Sequence, residues 1–406
     1  MRLDRLRLVA ILALGQIIGW GTTFDMPGVL GRSIAADLGM SNALAFGGLT
    51  AMMLVGGLSG PATGRAIERL GAARVLAAGA AAMAAGLVGL SVAQGPVVYY
   101  AAWVVAGIGG ALGLSVPAHT AVVEREGAGA KGVIGLLMIF TGLSAAVFWP
   151  LWSLAAEAFG WRSALLIGAA AQLALCPLYL FALPRKREES AEMRAASLDE
   201  PLVMSPRQSR LAFALIAFVF VVFGLVTTGI APSLIALLQA SGASPALALQ
   251  LGSLRSLLGI TARLADMLAG RRASAVLSGL VAAGLLAGSP LILLFADGEA
   301  SLLFLFVAFY GFGSGISALT RALLPLQFFS AARYARAAAS LSLPTNIAMA
   351  TGPLAITLVL DNAGVAGAVA VTCGLSALAF AALVVLVAIA RRAARPAAGA
   401  AATLPG

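Results

Sequence analysis

Apolar stretches of about twenty residues recur from end to end of this chain, each long enough to cross a hydrocarbon layer about 30 Å thick. Inside lipid the backbone must satisfy its own polar groups, so such stretches fold as helices. Read against charge and Gly/Pro punctuation, they fall near 8–30, 42–63, 74–94, 97–119, 132–154 and 161–183, then near 211–238, 246–268, 273–296, 301–324, 337–360 and 366–390. Between the two sets, Pro184 to Arg210 carries Arg185, Lys186, Arg187, Glu188 and Glu189 and is too charged to span or to form a core. The expected fold class is an all-α membrane protein of 12 transmembrane helices in two six-helix bundles. The first bundle covers 1–183, a linker 184–210 and the second bundle 211–390, with a tail over 391–406 expected to be disordered.

Composition agrees with lipid as the solvent, since 61% of residues are hydrophobic and 10% charged. The net charge of +10 does not point to nucleic acid, because the basic residues sit in short clusters between spans. Those clusters set topology. One group of loops, with both termini, holds Arg2, Arg5, Arg7, Arg65, Arg69, Arg74, Arg125, Lys131, the linker, Arg263, Arg271, Arg272, Arg333, Arg336, Arg391, Arg392 and Arg395. The other group holds Arg32 and Arg162. Basic loops stay inside, so both termini are expected in the cytoplasm, with an even number of crossings of the cytoplasmic membrane. The opening Met1 to Arg7 is similar to a signal peptide, yet the apolar run continues to about Leu30 without a small-x-small cleavage site and reads as an uncleaved first span. Cys176 and Cys373 both fall within spans and encode neither a disulfide framework nor a thiolate metal site.

The halves repeat. Gly19-x-x-Thr22-Thr23-x-x-x-Pro27 in span 1 recurs 205 positions later as Gly224-x-x-Thr227-Thr228-x-x-x-Pro232 in span 7. Trp149-Pro150-Leu151 is matched by Gly352-Pro353-Leu354, and Gly107-x-Gly109 by Gly311-x-Gly313, at nearly the same offset. Parallel six-helix repeats place a substrate site between the halves near the midplane, with spans 1, 4, 7 and 10 expected to line it. Gly-x-x-x-Gly spacings at Gly15/Gly19, Gly56/Gly60/Gly64, Gly109/Gly113 and Gly311/Gly315 let helix backbones approach closely.

At the end of span 2 the chain reads Gly64-Arg65-Ala66-Ile67-Glu68-Arg69-Leu70-Gly71-Ala72-Ala73-Arg74. This resembles the signature loop of the major facilitator superfamily, with Glu68 where Asp is usual and Ala72 and Ala73 where basic residues are common. A decayed second copy runs from Ala262-Arg263-Leu264-Ala265-Asp266 to Gly270-Arg271-Arg272, and Phe159-Gly160-Trp161-Arg162 is similarly typical. The resemblance implies a secondary transporter in which the loop's acid pairs with an Arg to latch one face, making Glu68, Arg69, Arg263 and Asp266 gating candidates. The competing reading is a helix-end charge pair that only anchors topology. Gly15-Gln16-Ile17-Ile18-Gly19-Trp20-Gly21 and Arg321-Ala322-Leu323-Leu324-Pro325-Leu326 resemble a bacterial branch that includes arsenite-efflux permeases, and more distantly monocarboxylate and oxalate/formate carriers.

An ionisable group inside a span is costly enough to suggest function. Asp25 lies in an interrupted stretch of span 1 between Gly21 and Pro27 and suits a proton-coupling group that alternates between wet and dry surroundings; its rival role is a carboxylate at the periplasmic mouth, solvated or paired with Arg32. Arg255 sits mid-way along span 8 on a face of Ala248, Gly252, Gly259 and Ala262, with room for an anion; a structural pair with Asp25 or with backbone carbonyls is the alternative. Arg321 is a further gating candidate that could instead snorkel, and His119 reads as structural more readily than as a proton relay. Gln16, Trp20, Thr23, Trp149 and Asn346 join Arg255 as substrate-binding candidates for a cavity wall. A membrane enzyme would need clustered His, Cys or carboxylates, and one His with two distant Cys does not supply them. The expected partners are lipid, a small solute and protons. No cofactor, metal or nucleic acid is called for, and the working unit is a monomer. The expected activity is transport of a small anion, with antiport or efflux of arsenite or a hydrophobic toxic compound as the alternative, and a non-transporting sensor as the alternative of another class.

Overall fold

The computed structural model describes residues 2–183, 204–269 and 274–400, and every regular element among them is helical. Most of the expected linker, the Gly270-Arg271-Arg272 end of the second signature copy and residues 401–406 of the expected tail lie outside the described residues. The helices are α1 Arg2–Thr22, α2 Met26–Asp37, α3 Asn42–Leu70, α4 Ala72–Ser91, α5 Pro96–Gly113, α6 Ser115–Glu126, α7 Ala130–Gly142, α8 Ser144–Pro177, α9 Pro206–Ala240, α10 Pro245–Leu268, α11 Ala275–Leu293, α12 Ala300–Phe328 and α13 Ala331–Ala400. Ser41, Ser205, Ser244 and Ser274 begin α3, α9, α10 and α11, each side chain accepting a backbone N–H of the first turn. At Ser205 the cap is reciprocal, because Gln208 returns a bond to the Ser205 N–H. That capping box starts α9 at Pro206, inside the stretch expected as linker. At the other end α13 continues to Ala400, into the stretch expected as a disordered tail, where alanine favours helix strongly.

Three expected spans of the first half are interrupted. Span 1 breaks over residues 23–25 between α1 and α2, span 4 at Leu114 between α5 and α6, and span 5 at Leu143 between α7 and α8. Pro27 occupies the first turn of α2, where its missing N–H costs nothing, but proline alone does not force the break, since Pro232 at the repeat position falls within α9. The repeat partner α9 runs on without a break. The opposite effect merges other spans. α8 passes through Gly160 at φ 78° and α13 through Gly364 at φ 63°, left-handed conformations that only glycine adopts cheaply, so one residue turns the chain from one helix into the next.

Among the described residues nine helical runs are long and apolar enough to cross a membrane. Two of them, Ala130–Ala182 and Arg333–Ala393, have 53 and 61 residues, far more than one crossing requires. α10 has 24 residues but carries Arg255, Arg263 and Asp266, and it falls outside the nine. Large apolar side chains such as Val97, Phe181 and Phe295 are more than two-thirds exposed, the surface a chain presents to lipid and not to water.

The chain divides into two compact units, one of residues 2–183 with Ala331–Asn346, the other of 204–330 with 347–400. In the first, α4 and α5 pack through small residues: a Cβ at Gly86 would sit 2.8 Å from the Ala106 Cβ, and one at Gly109 2.6 Å from the Met83 backbone nitrogen. Around them Met26, Leu87, Tyr99, Trp103, Phe148 and Trp152 form one buried cluster. In the second, α10 and α12 touch backbone to backbone, where a Cβ at Gly315 would collide with the Gly259 carbonyl oxygen. Gly315→Val is therefore expected to cost about 1–3 kcal/mol of overpacking strain. Gly284→Ala, which meets nothing within 4 Å, should be neutral or mildly stabilising. Thermal unfolding of the detergent-purified protein, followed by tryptophan fluorescence, separates the two; equal melting would mean that the α10/α12 seam is not tightly packed.

Candidate functional site

The break in span 1 gathers several of the candidate residues. Thr22 and Thr23 donate to the carbonyls of Ile18 and Gly19 at 2.7 and 2.6 Å, bonds that loosen a helix end. Gln16 is fully buried; its Oε1 accepts from Trp20 Nε1 at 3.3 Å and from Ser115 Oγ at 3.5 Å, and its Nε2 has no partner among the described residues. Ser115 follows the break at Leu114, so the interruptions of spans 1 and 4 meet at this amide. Trp20 also packs edge-on to Phe24. Trp149 is 51% exposed and its ring lies 3.4 Å from where Gly28 would carry a Cβ.

Asp25 precedes α2 and accepts from Ser144 Oγ at 2.6 Å. Ser144 opens α8, so the carboxylate lies beside the N-termini of two helices, which favour negative charge. Ser144 Oγ is also 2.9 Å from the Thr141 carbonyl, although a hydroxyl has one proton. Both contacts become full hydrogen bonds only if Asp25 carries a proton and donates to Ser144, which then donates to Thr141. Without it, the hydroxyl proton must be shared. Arg32, the expected rival partner, has an exposed side chain.

In the second unit Arg255 places its guanidinium carbon 5.8 Å from the centroid of the Tyr310 ring, within cation–π range. That ring is held by a hydrogen bond from Tyr310 Oη to the Thr227 carbonyl at 2.7 Å and by stacking on Phe306 at 6.1 Å. The repeated Thr227-Thr228 pair thus supports the platform under Arg255, with Thr228 Oγ1 also donating to the Met349 carbonyl at 3.0 Å. No carboxylate of the described residues pairs with Arg255. Arg321 has Met349 Sδ at 3.9 Å from its Nη1. Asp266 accepts from Ser278 on α11 at 2.5 Å, which ties the acid of the second signature copy into its own unit, close to Arg263 on the same helix. His119 is buried, with its Nε2 unpartnered among the described residues.

The first signature copy behaves differently. Glu68 Oε2 accepts from Arg336 Nη2 at 2.5 Å, joining the end of α3 to the start of α13. The helices meet there along Gly57, Gly60 and Gly64: a Cβ at Gly57 would lie 2.9 Å from Leu343 Cα, and one at Gly64 3.0 Å from Arg336 Cα. Asn346 continues the seam by donating to the Met53 carbonyl at 2.8 Å, which employs its amide on α3. Arg69 is exposed and, with Arg65, borders a shallow surface groove floored by Ala62, Ala66 and Leu70. Arg336 was not among the sequence candidates, where it counted only as a topology charge. The repeat offset of 205 was the available signal, since it carries Lys131 onto Arg336.

A family model described as Major Facilitator Superfamily matches residues 10–324. The chain belongs to this superfamily. Membership makes it a multi-pass membrane protein and a transporter, not an enzyme. Among solved structures, the human organic anion transporter MFSD10 (TETRAN) is similar with a TM-score of 0.72 at 19% identity, covering 93% of this chain and 99% of that one. The transporter FucP in its outward conformation gives 0.69 at 15% identity over 96% and 99%, and the proton:xylose symporter XylE bound to 6-bromo-6-deoxy-D-glucose gives 0.67 at 14% over 93% and 94%. At these identities the likeness concerns the fold. A comparison with curated proteins finds no significant match.

The Glu68–Arg336 pair is largely exposed on the Arg side, so its own worth is about 0.2–1 kcal/mol. Glu68→Gln is therefore expected to change the ratio of conformational states by up to about fivefold, lowering turnover with little change in substrate affinity. The charge swap Glu68→Arg with Arg336→Glu should recover part of the loss. Flux in proteoliposomes decides this, and normal turnover in Glu68→Gln would reduce the motif to a topology signal.

Proposed function

We propose that this protein is a secondary active transporter that moves a small anion across the cytoplasmic membrane by alternating access, with proton coupling through Asp25. The observation that carries the reading is Arg255: a guanidinium half-way along a helix, seated on Tyr310 and without a carboxylate partner among the described residues. Guanidinium stays charged at physiological pH, and an uncompensated charge at that depth is expensive unless a solute neutralises it. Its planar fork suits a carboxylate or another oxyanion.

The chain supplies two six-helix halves. Dividing the two longest helical runs at Gly160 and Gly364 and counting α10 brings the crossings to twelve, an even number consistent with both termini in the cytoplasm. Spans 1, 4, 7 and 10 line the solute path, joined by span 5 through Trp149 and span 8 through Arg255; Gln16, Trp20 and Thr23 are the candidates contributed by span 1. The Glu68–Arg336 contact serves as the cytoplasmic latch, assisted by Arg69, and the working unit is a monomer. Efflux of arsenite or of a hydrophobic compound is the competing assignment, and either would leave Arg255 dispensable for recognition.

Asp25 supplies the coupling because the Ser144 hydroxyl accommodates it in both protonation states, accepting from the acid and donating to the carboxylate. Asp25→Asn, a mimic of the protonated state, should lose most pH-gradient-driven transport while keeping substrate-for-substrate exchange, which need not release the proton. Arg255→Gln should abolish transport, and Arg255→Lys should weaken it because the charge survives without the fork. Flux of labelled oxalate, phosphate, arsenite and a hydrophobic dye into reconstituted vesicles tests the scheme. Undiminished anion flux in Arg255→Gln would remove the anion site, and equal loss of driven transport and exchange in Asp25→Asn would remove the coupling role.

A further inference from the structure

The second unit holds three arginines along one helix pair: Arg255 and Arg263 on α10, and Arg321 on α12. Their relative heights follow from the glycine contacts. Gly311 packs on the Arg255 backbone and Gly315 on Gly259, so α10 and α12 run parallel there, with residues 255 and 259 level with 311 and 315. One further turn puts Arg263 level with Leu319, and Arg321 lies two residues, about 3 Å, beyond that. Arg255 is eight residues, about 12 Å, back along the same helix. Arg263 stands within electrostatic reach of both of the others.

Carboxylates do not balance this row. The described acids of the unit are Asp266, Asp297, Glu299 and Asp361. Asp297 and Glu299 are exposed in the connection before α12, at the opposite end of that helix from Arg321, and Asp361 is exposed just before the Gly364 turn. Asp266 alone is near, bonded to Ser278. Even if it is counted wholly against Arg263, Arg255 and Arg321 are left without a carboxylate partner among the described residues. Arg321 is the clearer case, because a group with five N–H donors has a thioether sulfur at 3.9 Å as its neighbour, a weak acceptor. Like charges at one level of a membrane protein repel, and an anion placed between them removes the penalty.

We infer that Arg321, with Arg263 beside it, forms a second anion station that receives the oxyanion group of the solute after it leaves Arg255. The inference rests on the reading of Arg255 as the first station and adds where the solute goes next and which chemistry both stations select. Two planar forks in succession suit carboxylates and phosphate, which accept paired hydrogen bonds, over halides, which accept no such pair.

The experiment uses the full-length protein in proteoliposomes and in detergent, with labelled oxalate and labelled inorganic phosphate as probes and chloride as competitor. Arg321→Met and Arg321→Gln each remove the charge, so failure of one to fold leaves the other to decide. The expected result is binding of the accepted probe within about threefold of wild type and turnover reduced about tenfold or more, because the first station still captures the anion but the next step is lost. Arg321→Lys should recover part of the turnover, and chloride should compete poorly. Wild-type turnover in a well-folded Arg321→Met or Arg321→Gln protein overturns the second station, while loss of binding in Arg255→Gln under the same conditions leaves the first intact. Normal binding in Arg255→Gln overturns the first station and the hand-off with it. Transport of neither probe by the wild-type protein overturns the oxyanion assignment.

Discussion

Helices in lipid gain nothing from burying apolar surface against one another, because the tails are as apolar as leucine. What remains is dispersion between closely approaching backbones, and that approach is possible only where side chains are nearly absent. The contacts at Gly79/Gly113, Gly259/Gly315 and Gly57/Gly60/Gly64 satisfy this condition in different parts of the chain. They also set the heights of the functional groups. Arg255 stands where it does on α10 because Gly311 rests on its backbone, and Arg336 reaches Glu68 because Gly64 lets α13 come close enough. Packing and chemistry are here one constraint.

The two halves use the same Thr-Thr pair for different ends. In the first half Thr22 accepts from Gln172 at 2.7 Å and the helix breaks immediately afterwards, freeing Asp25 to sit at a helix start. In the second half the helix continues, and the Thr227 carbonyl becomes the anchor for Tyr310. The same repeated pair thus precedes a carboxylate at a helix start on one side and supports an aromatic seat for a cation on the other. The first half accumulates interruptions at Leu114 and Leu143, and the second accumulates charge on α10 and α12.

Much of this was readable in the sequence. The span pattern, the repeat and the two signature loops identified the fold, because lipid allows few alternatives and each span announces itself by composition. The charged residues within spans were equally visible, since each is an exception to its surroundings. Partners were not. That Asp25 meets Ser144 is a contact across 119 positions between two helix breaks, and no local pattern relates them. Asn346 looked like a cavity residue by polarity, yet its amide is employed on the α3 backbone. The kinks at Leu114 and Leu143 were also missed, because glycine is so abundant here that Gly113 and Gly142 carried no weight as break signals. α10 illustrates the converse: its charges keep it outside the nine most apolar runs, yet its hydrophobic stretch between Gly/Pro boundaries was legible as a span.

A connection of one residue, as at Gly160 and at Gly364, has no slack. A long loop would let neighbouring spans tilt independently, absorbing displacement as coil. Here any swing of the helix before the glycine must be taken up at a single pair of dihedral angles or passed on to the helix after it. The Arg162 side chain, just beyond Gly160, bonds Asp37 and the Ala93 carbonyl, so the outgoing helix is moored where it begins. Such a corner behaves as a stiff elbow joint: it transmits leverage between its two limbs, it tolerates no inserted residue without losing that leverage, and it offers a protease almost no chain to grip.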